Sequence, residues 1–266
     1  MEYTEKEKKL KEIVEKYGSA VVAFSGGADS FLVASIASEV LGDEAVAVTA
    51  RSPIYPSWDE EDAEKVSEET GIRHIFLDSQ ELKNENFAEN PEDRCYYCKK
   101  ELLESLDEIR KRLGYEKILD GTNSSDFGDY RPGLRALREF GEVVQSPLAE
   151  AQLEKEDVRK IAEKRGLPIA DKPSSPCLAS RIPYGDRITP EKVKRVRDAE
   201  EYLRSLGFRI VRVRDHGNIA RLEVAQERIP DLLERRKEVA KNLKDLGYDY
   251  VSLDLEGYRT GSLNPE

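Results

Sequence analysis

The stretch SGGADS at residues 25–30 lies between the apolar run AVVAF at 20–24 and a helical apolar pattern that continues through 31–40. These patterns predict a buried strand that turns at once into a helix N-terminus. Glycines let the backbone approach an anion, and the unpaired N–H groups of the first helical turn point at it, as does the positive end of the helix dipole. The stretch therefore predicts a phosphate-binding loop, with hydroxyls from its two serines and with Asp29 as a magnesium ligand.

The loop differs from the other common phosphate-binding loop, Gly-x4-Gly-Lys-Ser/Thr, because it has no lysine placed to reach the β- and γ-phosphates. Cleavage of ATP at another position is therefore implied. Ser-Gly-Gly-x-Asp-Ser resembles the PP-loop of ATP pyrophosphatases, which break ATP between the α- and β-phosphates and transfer AMP to an acceptor oxygen. The alternative is an ordinary strand-to-helix turn rich in small residues, and the agreement of strand, loop and helix argues against it.

Length and composition describe a heavily charged globular protein. The 266 residues carry a net charge of −11, and 38% of them are hydrophobic. This length suits one large or two modest domains with a real core, and we expect two. No apolar run approaches the ~20 residues that span a bilayer, and the N-terminus lacks the apolar core of a signal peptide. We therefore expect a cytoplasmic protein without a membrane partner.

The charge is unevenly distributed along the chain. The acidic total argues against a large nucleic-acid footprint, so we expect no nucleic-acid partner. Between residues 181 and 221, however, eleven Lys or Arg stand against six Asp or Glu. This basic segment suggests a phosphorylated partner, although solvated helix faces account for part of its charge.

Apolar runs alternate with helical patterns in the first part of the chain. The runs at 45–50, 73–78, 117–121 and 142–146 predict four strands in addition to the first. Alternating strands and helices imply right-handed crossovers and a parallel sheet that is covered on both faces. Ligands bind at the carboxyl ends of the strands in such sheets. The residues expected to meet in one crevice there are Ser25, Thr49 to Ser52, Asp78, Gly121 to Asn123 and Ser146.

The later part of the chain has a different order of elements. Capped helices are predicted from Ser57 to about Gly71 and from 154 to 165, and the long Pro- and Ser-rich segment 166–187 has the character of a functional loop. The elements expected after it are a helix at 190–206, strands at 208–214 and 219–225, a helix at 230–246 and a strand at 248–253.

The predicted fold class is therefore α/β with two domains. Residues 1–183 would form a parallel-sheet PP-loop ATP pyrophosphatase domain, similar to the adenine nucleotide alpha hydrolases. Residues 184–266 would form a small α+β domain, with the order α-β-β-α-β, that binds substrate or forms oligomers.

The chain has three cysteines, at positions 95, 98 and 177. The spacing C-x2-C places Cys95 and Cys98 on one face of a turn, which suits one metal centre, and Cys177 lies in the long loop. Structural zinc is one reading, but it would need a fourth ligand from His74 or His216, neither of which is near a cysteine in sequence. A redox pair is another, although no thioredoxin-like pattern surrounds it. Three thiolates without a fourth suit a [4Fe-4S] cluster with one iron open to exogenous sulfide.

Two arginines alternate with valines near the end of the basic segment. Arg212 and Arg214 would project from one face of a strand, with Arg221 on the next strand, and paired arginines make bidentate contacts to phosphate. An exposed polar strand face is the alternative. Glu200 and Glu201 lie on the preceding helix, where a carboxylate can act as a base or simply face solvent.

Taken together, these motifs resemble the LarE family of PP-loop sulfur transferases, which help make the nickel-pincer nucleotide cofactor of lactate racemase. The resemblance extends over nearly the whole chain. The motifs that carry it are SGGADS at 25–30, DGTN at 120–123, DYRPG at 129–133, PCLASR at 176–181, VRVR at 211–214 and GYRTGSLN at 257–264.

The resemblance implies that ATP adenylylates a carboxylate of pyridinium-3,5-biscarboxylic acid mononucleotide and that sulfur then attacks the acyl-adenylate. Family members with one cysteine, at the place of Cys177, sacrifice the sulfur of that side chain. Cys95 and Cys98 make this chain resemble the members that hold a [4Fe-4S] cluster and carry sulfide on it, from a separate source of sulfide. A homo-oligomer is also expected.

The same resemblance assigns roles to individual residues. The residues expected to bind ATP, cofactor or the substrate phosphate are Ser25, Gly26, Gly27, Asp29, Ser30, Thr49, Gly121, Arg181, Arg212 and Arg214. Cys95, Cys98 and Cys177 would hold the cluster, and Asp29 would hold Mg²⁺. Cys177 and Glu200 are the expected catalytic residues, with Glu201 as the alternative to Glu200.

Three other functions remain open at this stage. A tRNA thiolase also combines a PP-loop with cysteines, but such enzymes usually carry an RNA-binding domain or further zinc-binding cysteines. A PP-loop synthetase that uses ammonia is a second alternative, but its reaction needs no thiol and so does not explain the presence of Cys177. A nucleotide-sensing module with a structural metal would release neither AMP nor pyrophosphate.

Overall fold

The computed structural model describes residues 3–55, 68–128, 131–167 and 176–259. These residues divide into two compact units. The first takes the described residues within 1–52, 57–81 and 93–175, and the second takes those within 53–56, 82–92 and 176–266. The predicted domain boundary after residue 183 stays a prediction. Most of the helix predicted from Ser57 lies outside the described residues.

The first unit is built on a five-stranded sheet. Its strands follow the order β3-β2-β1-β4-β5, and every neighbouring pair is parallel. The α/β fold predicted for this part of the chain is thus confirmed. The strands are β1 (Ala20–Ala23), β2 (Ala45–Arg51), β3 (Arg73–Asp78), β4 (Lys117–Leu119) and β5 (Val144–Gln145). The helices of this unit that lie wholly in the described residues are α1 (Tyr3–Glu15), α2 (Ala28–Leu41), α4 (Arg94–Leu113), α5 (Gly133–Glu139), α6 (Pro147–Glu150) and α7 (Lys155–Lys164). The short helix α3 (Glu85–Ala88) belongs to the second unit.

The continuous apolar runs of the strands are explained by burial on both faces of this sheet. Val22 and Ala47 pack into one core with residues of α1, α2 and α7. Val21 and Val46 pack into another, against Leu103 and other residues of α4 and α5. Because successive strand residues point to opposite faces, β1 and positions 45–48 of β2 are all Ala or Val.

The second unit is built on a three-stranded sheet. Strand β6 pairs antiparallel with β7, and β7 pairs parallel with β8. The strands are β6 (Val211–His216), β7 (Ile219–Val224) and β8 (Tyr250–Leu253), and the helices are α3 (Glu85–Ala88), α8 (Pro190–Ser205), α9 (Ile229–Glu234) and α10 (Arg236–Asp245). The small α+β arrangement predicted for the C-terminal part is confirmed.

Some element boundaries differ from those predicted. The helix expected at 230–246 is two helices that meet at Arg235, whose backbone leaves helical geometry. The strand expected from residue 208 begins at Val211, because Phe208 N–H donates to the Leu203 carbonyl and closes the end of α8. Among the described residues, no helix is long and apolar enough to cross a membrane.

Candidate active site

The loop between β1 and α2 has the geometry of an anion site. Gly26 is buried with φ +70°, a conformation that favours glycine. Helix α2 begins after Gly27 with no side chain capping it, so its first N–H groups stay available to a ligand. Ser25 N–H donates to Ser30 Oγ over 3.2 Å, and Ser30 Oγ–H donates to the Gly27 carbonyl over 3.1 Å. These bonds close the loop upon itself and leave the Ser25 side chain exposed.

The segment after β4 packs directly against this loop. A Cβ atom on Gly121 would lie 2.9 Å from the backbone nitrogen of Ser30 and 3.2 Å from Asp29 Cβ. Only glycine allows this approach without a shift of the loop. Two motifs that are far apart in sequence, at 25–30 and 120–123, therefore form one structure.

Asn123 fixes the orientation of Asp29. Its Nδ2 donates to Asp29 Oδ1 over 3.0 Å, and its Oδ1 accepts from Ser125 N–H over 3.0 Å. The Asn123 side chain is fully buried. Burial raises the pKa of the Asp29 carboxyl, and the hydrogen bond from Asn123 acts against that rise. Asp29 is thus a half-buried carboxylate held in one position, which suits a magnesium ligand.

Thr49 has its hydroxyl occupied by the protein. The hydroxyl donates to the Phe24 carbonyl over 3.0 Å and lies 2.8 Å from His74 Nε2. A hydroxyl has one proton, so His74 Nε2–H is the donor of the second bond. Thr49 therefore ties the end of β2 to the residue before the loop, and its contact with ATP stays a prediction.

The ends of β4 and β5 meet at Asp120. Ser146 Oγ–H donates to Asp120 Oδ1 over 2.7 Å, and Thr122 Oγ1–H donates to Asp120 Oδ2 over 2.7 Å. Lys99 of α4 lies 3.5 Å from the same carboxylate. The buried Asp120 thus joins the ends of β4 and β5 and reaches the helix that carries two of the cysteines.

Cys95 and Cys98 lie in the first turn and a half of α4. Cys95 is exposed and Cys98 is half-buried. Tyr96 between them is held by α5, because its hydroxyl donates to Glu139 over 2.7 Å and the Arg135 guanidinium stacks 3.7 Å above its ring.

Cys177 belongs to the second unit and precedes a short 3₁₀ turn, Leu178–Arg181. Its side chain is half-buried, and Leu178 N–H donates to the Ile54 carbonyl over 2.7 Å. No three or more His, Cys, Asp or Glu side chains within the described residues form a group that could hold a metal ion. None of the three cysteines is in a disulfide.

Arg181 and Glu200 form a buried bidentate ion pair. Arg181 Nε and Nη2 donate to the two oxygens of Glu200 over 2.8 and 2.9 Å. Arg181 is 1% exposed and Glu200 is 0% exposed. Both were expected to touch cofactor or reacting groups; in the structure each is held by the other.

Arg214 is likewise paired, with Glu223 on the neighbouring strand. Its Nε and Nη2 donate to the two Glu223 oxygens over 2.9 and 2.7 Å. Arg221 continues the row, with Nη2 at 3.2 Å from Glu223 and Nη1 at 2.8 Å from Asp254. Sequence reasoning missed Glu223, although its position opposite Arg212 in the hairpin makes it the natural neighbour of both arginines.

Arg212 differs from the other two arginines. It is 8% exposed, its Nη1 donates to the Val211 carbonyl, and its guanidinium lies 5.3 Å from the Tyr258 ring centre. No carboxylate of the described residues forms an ion pair with it. Burial, and then the nearby Arg181 guanidinium, lower the pKa of Arg212 to about 10. A desolvated cation without a partner anion is what a phosphate site requires.

Comparison with known proteins agrees with these features. The NAD synthase family model matches residues 2–101, which contain the loop at 25–30. The chain is 41% identical over 244 residues to the pyridinium-3,5-bisthiocarboxylic acid mononucleotide synthase of Lactiplantibacillus plantarum, covering 91% of this chain and 88% of that protein. The chain belongs to the LarE-like family of PP-loop ATP pyrophosphatases. The resemblance read from the motifs is thereby confirmed at the level of the family, as is the assignment to ATP-dependent enzymes.

Other members of this set of relatives also match along almost the full chain. An uncharacterized protein of Synechocystis is 46% identical over 263 residues, covering 97% of both chains. An uncharacterized protein of Methanocaldococcus jannaschii is 31% identical over 240 residues, covering 90% of both. The LarE-like pattern therefore extends through both compact units.

Proposed function

We propose that the chain adenylylates a carboxylate of pyridinium-3,5-biscarboxylic acid mononucleotide with ATP and replaces a carboxylate oxygen by sulfur, as a step in nickel-pincer nucleotide biosynthesis. The observation that carries the proposal is the 41% identity to the L. plantarum synthase over 91% of this chain. A cytoplasmic location, a homo-oligomer and a separate sulfide source stay predictions.

The first step uses the loop at 25–30. A carboxylate oxygen of the substrate attacks the α-phosphorus of ATP, the bond from that phosphorus to the bridging oxygen breaks, and pyrophosphate leaves. The backbone N–H groups at the start of α2 and the serine hydroxyls would stabilise the charge on the phosphates. Asp29, oriented by Asn123, would hold Mg²⁺ against phosphate oxygens.

The second step replaces oxygen by sulfur. A sulfur nucleophile attacks the carbonyl carbon of the acyl-adenylate, and AMP leaves with the electron pair of the broken bond. A carboxylate is a poor electrophile, so its conversion to an acyl-adenylate is what makes this attack feasible.

Three thiols are present to support the second step. Cys95, Cys98 and Cys177 fit the donor set of a [4Fe-4S] cluster with three protein ligands, because none of them is in a disulfide and each is at least partly exposed. Such a cluster, when bound, would supply an iron site that can carry sulfide. Without it, the Cys177 thiol itself is the candidate sulfur donor.

Arg212 is the residue that we assign to the substrate phosphate. Its guanidinium is buried and has no carboxylate partner among the described residues, whereas that of Arg214 is occupied by Glu223. Arg214 would then support the site from the neighbouring position on the same face of β6.

The experiment is an anaerobic purification with measurement of iron and acid-labile sulfide, beside a Cys95→Ala variant. We expect about four iron atoms per chain in the wild type, lost in the variant. Incubation with ATP, Mg²⁺, sulfide and the pyridinium mononucleotide should yield AMP and a thiocarboxylate in equal amounts over several turnovers.

Two results would change the proposal. No iron after reconstitution, with a single turnover and loss of the Cys177 sulfur, would make Cys177 a sacrificial donor. AMP release that requires tRNA, with none from the mononucleotide, would replace the proposed function by tRNA thiolation.

A further inference from the structure

We propose that Arg181 and Glu200 are positioning residues that clamp the backbone around Cys177, and that neither of them touches the nucleotide. The inference rests on the proposed function only in that Cys177 is taken as a thiol used in sulfur transfer. The clamp is defined here as the pairs Arg181–Glu200 and Arg214–Glu223 together with the segment 176–181.

All three nitrogens of the Arg181 guanidinium donate hydrogen bonds inside the protein. Besides the two bonds to Glu200, its Nη1 donates to the carbonyls of Pro176 and Cys177 over 2.8 and 3.2 Å and to Ser180 Oγ over 3.0 Å. The guanidinium is 1% exposed. Since each nitrogen already donates to the protein and the side chain is buried, almost no surface is left for a phosphate or a carboxylate of a ligand.

Glu200 connects this arrangement to the sheet. Its Oε1 also accepts from the backbone N–H of Val213 over 3.1 Å, so one carboxylate holds both Arg181 and β6. Val213 lies between Arg212 and Arg214. The strand that presents the candidate phosphate-binding arginine and the turn that presents Cys177 are thus fixed to the same buried group.

The second ion pair acts on the same turn. Arg214, oriented by Glu223, donates from Nη1 to the Ser180 carbonyl over 3.0 Å. Three carbonyls of the Cys177 turn, at positions 176, 177 and 180, therefore accept from two guanidinium groups, each of which is held by a buried carboxylate.

This geometry explains why charged groups are buried here at all. A buried ion pair adds little net stability compared with apolar residues, but it imposes a fixed orientation on its donors. The orientation is used to hold backbone carbonyls of an otherwise irregular segment. The Cys177 thiol is then carried by a fixed backbone, which reduces the conformational entropy that is lost when the thiol reaches a reactive geometry.

The test compares Arg181→Lys and Glu200→Gln with Arg195→Lys. Arg195 is a matched control because it pairs with Asp215 and donates to the carbonyls of Gly217 and Gly247, and none of these partners lies in the segment 176–181. Each variant is made in a Cys95→Ser, Cys98→Ser background, where Cys177 is the single cysteine. The measurements are hydrogen–deuterium exchange of residues 177–182 and the rate of alkylation of Cys177 by iodoacetamide.

We expect exchange and alkylation in Arg181→Lys to rise by about tenfold or more, because charge-assisted bonds to three acceptors are lost or weakened. Glu200→Gln should show a smaller rise, and Arg195→Lys should match the wild type. In the three-cysteine protein, Arg181→Lys should also lower the ratio of thiocarboxylate formed to AMP released.

A double variant keeps the test valid if single variants unfold. Arg181→Met with Glu200→Leu replaces the pair by apolar side chains of similar size, which buried ion pairs commonly tolerate. Unchanged exchange and alkylation in this folded double variant would overturn the clamp. If the wild type releases no AMP with the mononucleotide, the proposed function fails, while exchange and alkylation still decide on the clamp.

Discussion

At the scale of the residue, Arg181, Arg212 and Arg214 look equivalent in sequence but differ in whether a carboxylate pairs with them. Arg181 forms an ion pair with Glu200, and Arg214 forms one with Glu223. Each arginine also donates from Nη1 to a backbone carbonyl. Arg212 alone among these three lacks a carboxylate partner in the described residues. The sequence shows the spacing of charges but not which pairs form, because that depends on contacts between strand, helix and turn.

Burial of the charged Arg212 guanidinium lowers the free energy of unfolding of the ligand-free protein. Its lowered pKa means that folding disfavours the charged form of Arg212, so the penalty is present at pH 7 and is relieved as the pH rises through about 10. Arg212→Met should therefore raise the free energy of unfolding of the ligand-free protein at pH 7, by about 1 to 3 kcal/mol. Urea unfolding at pH 7 measures this.

Arg212→Met should also lose the interaction with the phosphate of the substrate. We expect the KM for the mononucleotide to rise by about tenfold or more, and that for the nucleoside lacking the phosphate to stay unchanged. The exposed Arg209→Met is the control and should alter neither quantity. A destabilised Arg212→Met, or an equal loss with both substrates, would contradict the assignment.

The second prediction concerns the contact between two motifs. Gly121→Ala places a methyl group 2.9 Å from Ser30 N, so the loop must shift. We expect the affinity for Mg·ATP to fall by about tenfold and the free energy of unfolding to fall by about 1 to 3 kcal/mol. Calorimetric titration and urea unfolding give the two values.

Gly128→Ala serves as its control, because no atom of the described part of the chain lies within 4 Å of the added Cβ. It should change stability by less than about 0.5 kcal/mol. Equal effects of the two substitutions would show that the close approach at Gly121 is unimportant.

At the scale of the element, the parallel strands were the most predictable part of the chain. β2 and β3 were expected at 45–50 and 73–78, and they occur at Ala45–Arg51 and Arg73–Asp78. β2 leaves a continuous apolar signal because its first five residues are buried, whereas β3, at the sheet edge, is half-buried or exposed and has only a short apolar run. The boundaries in the second unit were less predictable, because they depend on single backbone bonds such as Phe208 N–H to the Leu203 carbonyl.

Asn90 shows how such local bonds hold an element that has no periodic signal. It is fully buried with φ +57°, and its Nδ2 donates to the carbonyls of Ile182, Pro183 and Asp186 over 3.2, 2.7 and 3.0 Å. Its own carbonyl accepts from Gly185 N–H over 2.9 Å. One side chain thus fixes the connection that follows the Cys177 turn.

The third prediction separates the two contributions of Asn90. Asn90→Ala loses the hydrogen bonds and keeps a strained φ, and should cost about 2 to 4 kcal/mol of unfolding free energy. Asn90→Gly loses the same bonds without the strain, and should cost about 1 kcal/mol less. Urea unfolding of both variants, with the exposed Asn86→Ala as control, measures the difference. Equal values for Ala and Gly would mean that the backbone conformation contributes nothing.

At the scale of the whole molecule, the residues assigned to the reaction are divided between the two compact units. The ATP loop, Asn123, Cys95 and Cys98 belong to the first, while Cys177, the clamp and Arg212 belong to the second. Apart from Glu223, the sequence pointed to residues of both groups through motifs, and the family resemblance linked them. Neither the motifs nor the resemblance separated residues that bind a ligand from residues that hold the backbone in position. That distinction depends on burial and on ion pairing, which only the structure gives.

The last prediction follows from this division. Mg·ATP should slow hydrogen–deuterium exchange at residues 25–32 and 120–124, where the loop and its neighbouring segment receive the phosphates. The pyridinium mononucleotide, added without ATP, should slow exchange at 211–214 instead, because its phosphate pairs with Arg212. Pyrophosphate is the control for the first site and should protect the loop without affecting β6. Protection of β6 by pyrophosphate, or of the loop alone by the mononucleotide, would show that the phosphate sites have been assigned to the wrong units.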